Sequence, residues 1–182
     1  RRLGNRTILE HVLDRVRPQV DALVVNANGD PGRFTGFGLP VAADVVPDHA
    51  GPLAGVLTGL DWAAAEVPGA RWVASFATDA PFVPADLVRR LLDAVDTQGA
   101  DMACAASGGR HHPVFGLWPV RLRDDLRRAM LDEGMRKVDA WTARYRLAVA
   151  EWPADPVDPF FNTNRPDDLA EAERMLAAGM AG

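Results

Sequence analysis

Asp79 lies in the stretch 71–84, RWVASFATDAPFVP. There an apolar run of strand length, residues 72–77, breaks at Thr78-Asp79-Ala80-Pro81 and gives way to a helical pattern from Pro84. A carboxylate just past a buried strand and before a helix sits where open α/β sheets place their ligands, outside the carboxyl ends of the strands. Three more polar turns end predicted strands: Asn26-Ala27-Asn28, Asp44, and Asn162-Thr163-Asn164. In a parallel sheet these ends share one edge, so their side chains can converge. Each turn alone also fits a structural role, because Asn and Asp are common turn and cap formers. Gly51-Pro52-Leu53-Ala54-Gly55 opens a predicted helix, where glycine lets backbone N–H groups approach an anion at the positive end of the helix dipole. No Lys-Ser/Thr follows, which excludes a Walker A loop; a plain helix start with proline in the first turn fits as well.

The elements that must position these residues alternate. Residues 7–17 place Ile8, Leu9, Val12, Leu13 and Val16 on one helical face, with Thr7 and Glu10 spaced as a capping box and Pro18 ending the pattern. The apolar run 22–25 predicts a strand, and a second short one over 41–46 follows the glycine-containing loop 29–38. A helix runs from the Gly51 turn to Glu66, with Leu53, Val56, Leu57, Leu60 and Ala64 inward. Beyond the strand 72–77 come a helix over 84–97, a strand over 101–106, a Gly108-Gly109 turn and an apolar segment 113–119. Helices over 121–131 and 136–143, a strand over 147–152, a proline-rich loop 153–159 and a helix over 166–178 complete the order. Short, nearly all-apolar strands alternating with helices predict an α/β fold, one doubly wound domain over residues 1–182 with a mostly parallel sheet covered on both faces.

The 182 residues carry 20 basic and 25 acidic side chains, a net charge of −5, with no continuous basic tract. A broad nucleic-acid footprint is therefore not expected, although a local phosphate pocket needs only two or three donors. The one cysteine, Cys104, excludes an internal disulfide and a multi-cysteine zinc site, and its apolar neighbours predict a buried, inert thiol. His111 and His112 are adjacent and point apart on a strand with no evident third ligand, His11 reads as structural and His49 falls in a loop, so a zinc site is not expected. No apolar run is long enough to span a bilayer and no signal-peptide pattern opens the chain, which makes no membrane contact and a cytoplasmic location the expectation.

The order of the motifs carries more than any one of them. Val24-Val25-Asn26-Ala27-Asn28, then Asp44 seven residues before Gly51-Pro52-Leu53-Ala54-Gly55, then Thr78-Asp79-Ala80-Pro81-Phe82-Val83-Pro84, His112-Pro113 and Asn162-Thr163-Asn164-Arg165-Pro166 run across nearly the whole chain. In this the chain resembles the molybdenum cofactor guanylyltransferases, within the wider group of nucleotidyltransferases with a Rossmann-like three-layer sandwich. The resemblance implies transfer of GMP from GTP to the phosphate of molybdopterin, with release of pyrophosphate and formation of the guanine dinucleotide cofactor. It implies that Asn26 and Asp44 contact the nucleotide and that Asp79 is the catalytic residue and holds Mg2+ against the GTP phosphates. It places Gly51, Pro52, Gly55, His112, Arg136, Lys137, Asn162 and Asn164 on the molybdopterin side. It further implies transient contacts with cofactor-synthesis proteins and molybdoenzyme chaperones. Arg136 and Lys137 read equally as a screen between two anionic substrates and as a solvated basic pair.

One departure matters. The family's glycine-rich loop and the lysine after it precede the region aligned with Leu3-Gly4-Asn5, and neither occurs in these residues. An α/β chain that opens on a helix also lacks the leading strand of its first crossover, which would leave two neighbouring strands unpaired. The expectation is a natural protein with a strand and loop before Arg1; without them, GTP binding is expected to be poor. A homologue that uses CTP or a sugar-phosphate acceptor, and a non-catalytic homologue without the loop, are the alternatives.

Overall fold

Thr7 closes a short hairpin and starts the first helix. β1 (Arg2–Leu3) and β2 (Arg6–Thr7) pair antiparallel. In α1 (Ile8–Val16) the Thr7 hydroxyl accepts from the Glu10 amide at 3.2 Å, and the Glu10 carboxylate accepts from the Thr7 amide at 2.6 Å, the expected capping box. The computed structural model describes residues 1–46 and 51–179, so His49 lies outside the described residues. β3 (Val25–Asn26) and β4 (Val41–Ala42) pair in parallel and are shorter than the apolar runs around them; a 3-10 run over Pro31–Phe37 occupies the loop between. α2 (Pro52–Glu66), β5 (Trp72–Ala74), α3 (Leu87–Gln98), β6 (Met102–Ser107), β7 (Arg110–Pro119), α4 (Arg123–Leu131), α5 (Val138–Thr142), β8 (Leu147–Trp152) and α6 (Pro166–Ala177) follow in the expected order.

The four-stranded sheet has the order β5-β7-β6-β8. β7 is antiparallel to both β5 and β6, and β8 is parallel to β6, so β5, β6 and β8 all point one way. The expected parallel character holds for those three strands and is corrected for β7. The reason is local. Gly108 and Gly109, at φ +53° and +74°, turn β6 straight back on itself, whereas a parallel partner needs a crossover of a dozen residues or so.

The pleat sorts side chains to two faces. Ala103, Ala105, Phe115 and Leu117 pack with Val12 and Val16 of α1 and with Leu87, Leu91 and Val95 of α3. Met102 and Trp118 pack on the other face with Leu53, Leu57 and Leu60 of α2, Leu126 of α4 and Trp141 of α5. Two helical layers thus enclose the sheet, as the alternation of elements predicts. Cys104 is buried in β6, and burial pushes its thiol up to about 11, in keeping with an inert side chain. No described helix is long and apolar enough to cross a membrane.

β3 and β4 stand apart from the four-stranded sheet. A cavity of about 1100 Å³ lies between β3 and β5, lined by Val12, Val16, Val25, Val56, Trp72 and Val73 and reaching Thr78 and Asp79.

Beyond β5, Ser75 keeps the chain on the sheet. Its amide donates to the Gly116 carbonyl at 2.9 Å, and its hydroxyl donates to the Val114 carbonyl at 2.6 Å while accepting from Trp118 Nε1 at 2.8 Å. The Trp118 indole can lie there because residue 116 has no side chain: a Cβ on Gly116 would run into Trp118 Cζ2 and sit 2.6 Å from Cε2. Gly116→Ala is therefore expected to cost about 3 kcal/mol and to lower the melting temperature by roughly 10 °C, read by thermal denaturation under circular dichroism.

Candidate active site

Because β5, β6 and β8 share a direction, the segments that follow them emerge on one edge of the sheet. Asp79 comes off β5, Ser107 ends β6, His112 lies near the start of β7, and residues 153–164 follow β8. β3 reaches the same edge. Asn26 lies against Gly55 in the first turn of α2, the helix whose far end feeds into β5.

Asp79 is half-buried. Its main-chain carbonyl accepts from both the amide and the hydroxyl of Thr163, each at 2.9 Å. Among the described residues no protein donor reaches its carboxylate, which leaves both oxygens uncommitted. No cluster of three or more metal-ligating side chains occurs among the described residues.

Asp44 is held from two sides. Asn26 Nδ2 donates to Asp44 Oδ1 at 3.0 Å, and Asn28 Nδ2 donates to Asp44 Oδ2 at 2.8 Å. Asn28 Oδ1 accepts the Asp44 amide at 2.9 Å, closing a ring of hydrogen bonds, and Asn26 also donates to the Ala42 carbonyl at 3.1 Å. The next amide, that of Val45, donates to the buried Thr58 hydroxyl of α2 at 3.2 Å. The carboxylate thus has a fixed orientation between β3 and α2.

The glycines of the α2 turn have separate uses. Gly51 is the N-cap at φ +155°, a backbone state that side chains disfavour, and Pro52 takes the first helical position. Gly55 is where Asn26 rests: a Cβ there would meet Asn26 Oδ1 at 2.7 Å.

On the far side of Asp79, the Ser107 hydroxyl donates to Asp158 Oδ1 at 2.8 Å and lies 2.7 Å from His112 Nε2. The imidazole stacks near Phe160, with ring centroids 4.8 Å apart, and burial holds the His112 pKa below its ordinary value. Asn162 and Asn164, both exposed, flank the buried Thr163.

Arg136 and Lys137 are exposed in the turn between α4 and α5. α4, the helix that leads into this turn, is tied to α2 by Arg127 on Asp61. Arg136 Nη1 donates to the carbonyls of Met130 and Met135, at 3.1 and 2.8 Å, and closes the end of α4. One of the Arg136 guanidinium nitrogens is therefore engaged by the chain itself.

The structure adds Asn28, Ser107, Asp158 and Thr163 to the residues that build this edge. Asn28 is visible in the sequence as the second asparagine of one turn. The other three give little signal: Ser107 precedes a glycine turn, Asp158 sits in a proline-rich loop, and Thr163 reads as a spacer between asparagines.

Comparison with known proteins fits this geometry. The family model for the MobA-like NTP transferase domain matches residues 1–148. A molybdenum cofactor guanylyltransferase of Rhodopseudomonas palustris (strain BisB5) is 59% identical over 175 residues, covering 96% of this chain and 83% of the relative. The chain belongs to the MobA-like NTP transferase family. Solved structures agree on the MobA-like fold. Molybdopterin-guanine dinucleotide biosynthesis protein A from Archaeoglobus fulgidus superposes with a TM-score of 0.72 at 22% identity, over 97% of this chain and 88% of its own. 2-C-methyl-D-erythritol 4-phosphate cytidylyltransferase from Thermus thermophilus superposes with a TM-score of 0.64 at 24% identity, over 97% and 92% of the two chains.

In this MobA-like site Gly55→Ala is expected to push Asn26 off its seat and release Asp44 on one side. Nucleotide affinity should fall by roughly tenfold, about the worth of one charge-assisted hydrogen bond, with the melting temperature little changed. Isothermal titration with nucleotide against the parent protein checks it.

Proposed function

We propose that this chain transfers GMP from GTP to the phosphate of molybdopterin and releases pyrophosphate. The observation that carries the reading is near-full-length identity of 59% to a molybdenum cofactor guanylyltransferase. The site chemistry supports it. In the reaction an oxygen of the acceptor phosphate attacks the α-phosphorus of GTP, a new P–O bond forms, and the α–β bridging bond breaks, with its electron pair leaving on pyrophosphate. Such transfers ask a protein mainly for positioning and charge neutralisation. The attacking phosphate is already ionised, so no strong general base is required, and none is assigned.

Asp44 presents two fixed acceptor oxygens between Asn26 and Asn28, which suits the N–H donors of guanine. Asp79, with an uncommitted carboxylate, is the residue to hold Mg2+, and the ion when bound neutralises charge on the transferring phosphates. Asn162, Asn164 and His112 lie toward the acceptor, with Lys137 adding positive charge at the rim. The cavity between β3 and β5 is apolar for most of its length and reaches Asp79. A nucleoside triphosphate donor fits a reaction in the cytoplasm.

The test is pyrophosphate release by the full-length gene product with molybdopterin and Mg2+, using GTP and CTP in parallel. GTP is expected to support turnover and CTP to fail; turnover with CTP alone would replace the guanylyl reading by a cytidylyl one. Asp79→Asn is expected to abolish turnover, by a factor of about 10³ or more, while the circular dichroism spectrum is retained. Near-normal Mg2+-dependent activity in that variant would remove Asp79 from the centre of the site.

A further inference from the structure

Thr163 is the buried member of an Asn-Thr-Asn segment, 1% exposed between two more accessible asparagines. Its amide and hydroxyl both donate, at 2.9 Å, to the main-chain carbonyl of Asp79, 84 residues earlier. A carbonyl oxygen has two lone pairs, and two donors fill both. One donor leaves the 79–80 peptide free to pivot about a single hydrogen bond; two fix its plane. The carboxylate of Asp79 hangs from the residue that carries this peptide.

The other end of the same segment is also fastened. Asp158 Oδ1 accepts from the Ser107 hydroxyl at 2.8 Å and from the Phe160 amide at 2.9 Å. Phe160, 3% exposed, is enclosed by the rings of His112, Phe115 and Trp152. Residues 158–164 therefore form a strap, anchored on β6 and β7 at one end and on the Asp79 turn at the other. Beyond Phe160, the strap's accessible polar side chains are Asn162 and Asn164.

We infer that Thr163 is a positioning residue that sets the distance between the metal-holding carboxylate and the acceptor-side asparagines, so that donor and acceptor subsites move as one body. The inference rests on the guanylyl-transfer reading, but its mechanical half stands on the Thr163–Asp79 contact alone. The hydroxyl is the part of Thr163 that carries it, since any residue supplies the amide. Proximity effects are steep, and a misplacement of about 1 Å between reacting groups can cost about a hundredfold in rate.

The test uses Thr163→Val, which replaces the hydroxyl by a methyl of similar size, and Thr163→Ser, which keeps the hydroxyl. Hydrogen exchange by mass spectrometry reads the link without substrate. In Thr163→Val, exchange is expected to quicken in the segments around both 76–84 and 158–165, and in Thr163→Ser in neither. Faster exchange in 158–165 alone would overturn the link, as would no change in either segment. Kinetics read the consequence. The Mg2+ activation constant and the acceptor KM are expected to rise together, each by roughly fivefold for one lost hydrogen bond. Thr163→Ser should restore both. Constants within about twofold of the parent in Thr163→Val, or an equal defect in Thr163→Ser, would overturn the positioning role. Failure of the parent protein to release pyrophosphate from GTP would instead count against the guanylyl reading, with the exchange result still deciding the link.

Discussion

The candidate site depends on β7, the one strand of the four-stranded sheet that runs against its neighbours. Among the described residues it is the only pairing partner of β5 and lies between β5 and β6. Without it the strand that delivers Asp79 has no ladder to belong to. β7 performs this through main-chain groups and through a side-chain fit, because Trp118 lies over the bare Cα of Gly116 and donates to Ser75. Ser75 then holds the chain in the sheet beyond the last paired residue of β5. The position of a half-buried carboxylate at the sheet edge thus traces back to a glycine and a tryptophan two residues apart on a neighbouring strand.

From that fixed point the site is assembled by exchanges between segments distant in sequence. The strap over 158–164 comes off β8, takes hold of Ser107 and ends on the Asp79 carbonyl. Asp44 is held by amides from the end of β3 and the turn after it, and the chain beyond it by a hydroxyl from α2. None of these contacts is a long-range ion pair. The described ion pairs are mostly exposed, and the most buried carboxylate among them, Asp61, ties α4 to α2 at a distance from the reacting edge. Exposed pairs of this kind contribute little to stability. Order at the edge comes instead from neutral donors meeting carbonyls and carboxylates in fixed directions.

Much of this was legible in the sequence because it is written locally. The Thr7–Glu10 capping box, the 52–66 helix with its proline start, and a buried strand within one residue of its expected bounds, 101–106, follow from spacing and composition. The gathering of Asn26, Asp44, Asp79 and Asn162 at one edge follows from strand direction. What escaped was relational. Strands 25–26 and 41–42 are shorter than their apolar runs, because periodicity records burial and not pairing. The direction of β7 depends on two glycines in left-handed backbone states. Thr163 and Ser107 have ordinary neighbours, and only the fold shows that one grips Asp79 and the other joins His112 to Asp158. Arg136 looked free for an anion, yet one of its nitrogens closes the end of α4.

The Ser107 hydroxyl has one proton to give. The Asp158 carboxylate only accepts, so that proton is directed to Asp158, and the short contact to His112 must be completed by a proton on Nε2 of the imidazole. Burial keeps the ring neutral, which makes its other nitrogen, Nδ1, a lone pair. A serine at the end of β6 thereby decides the tautomer of a histidine on the neighbouring strand. At Nδ1 the imidazole is thereby an acceptor of hydrogen bonds, matched to an N–H or O–H and not to a bare oxygen.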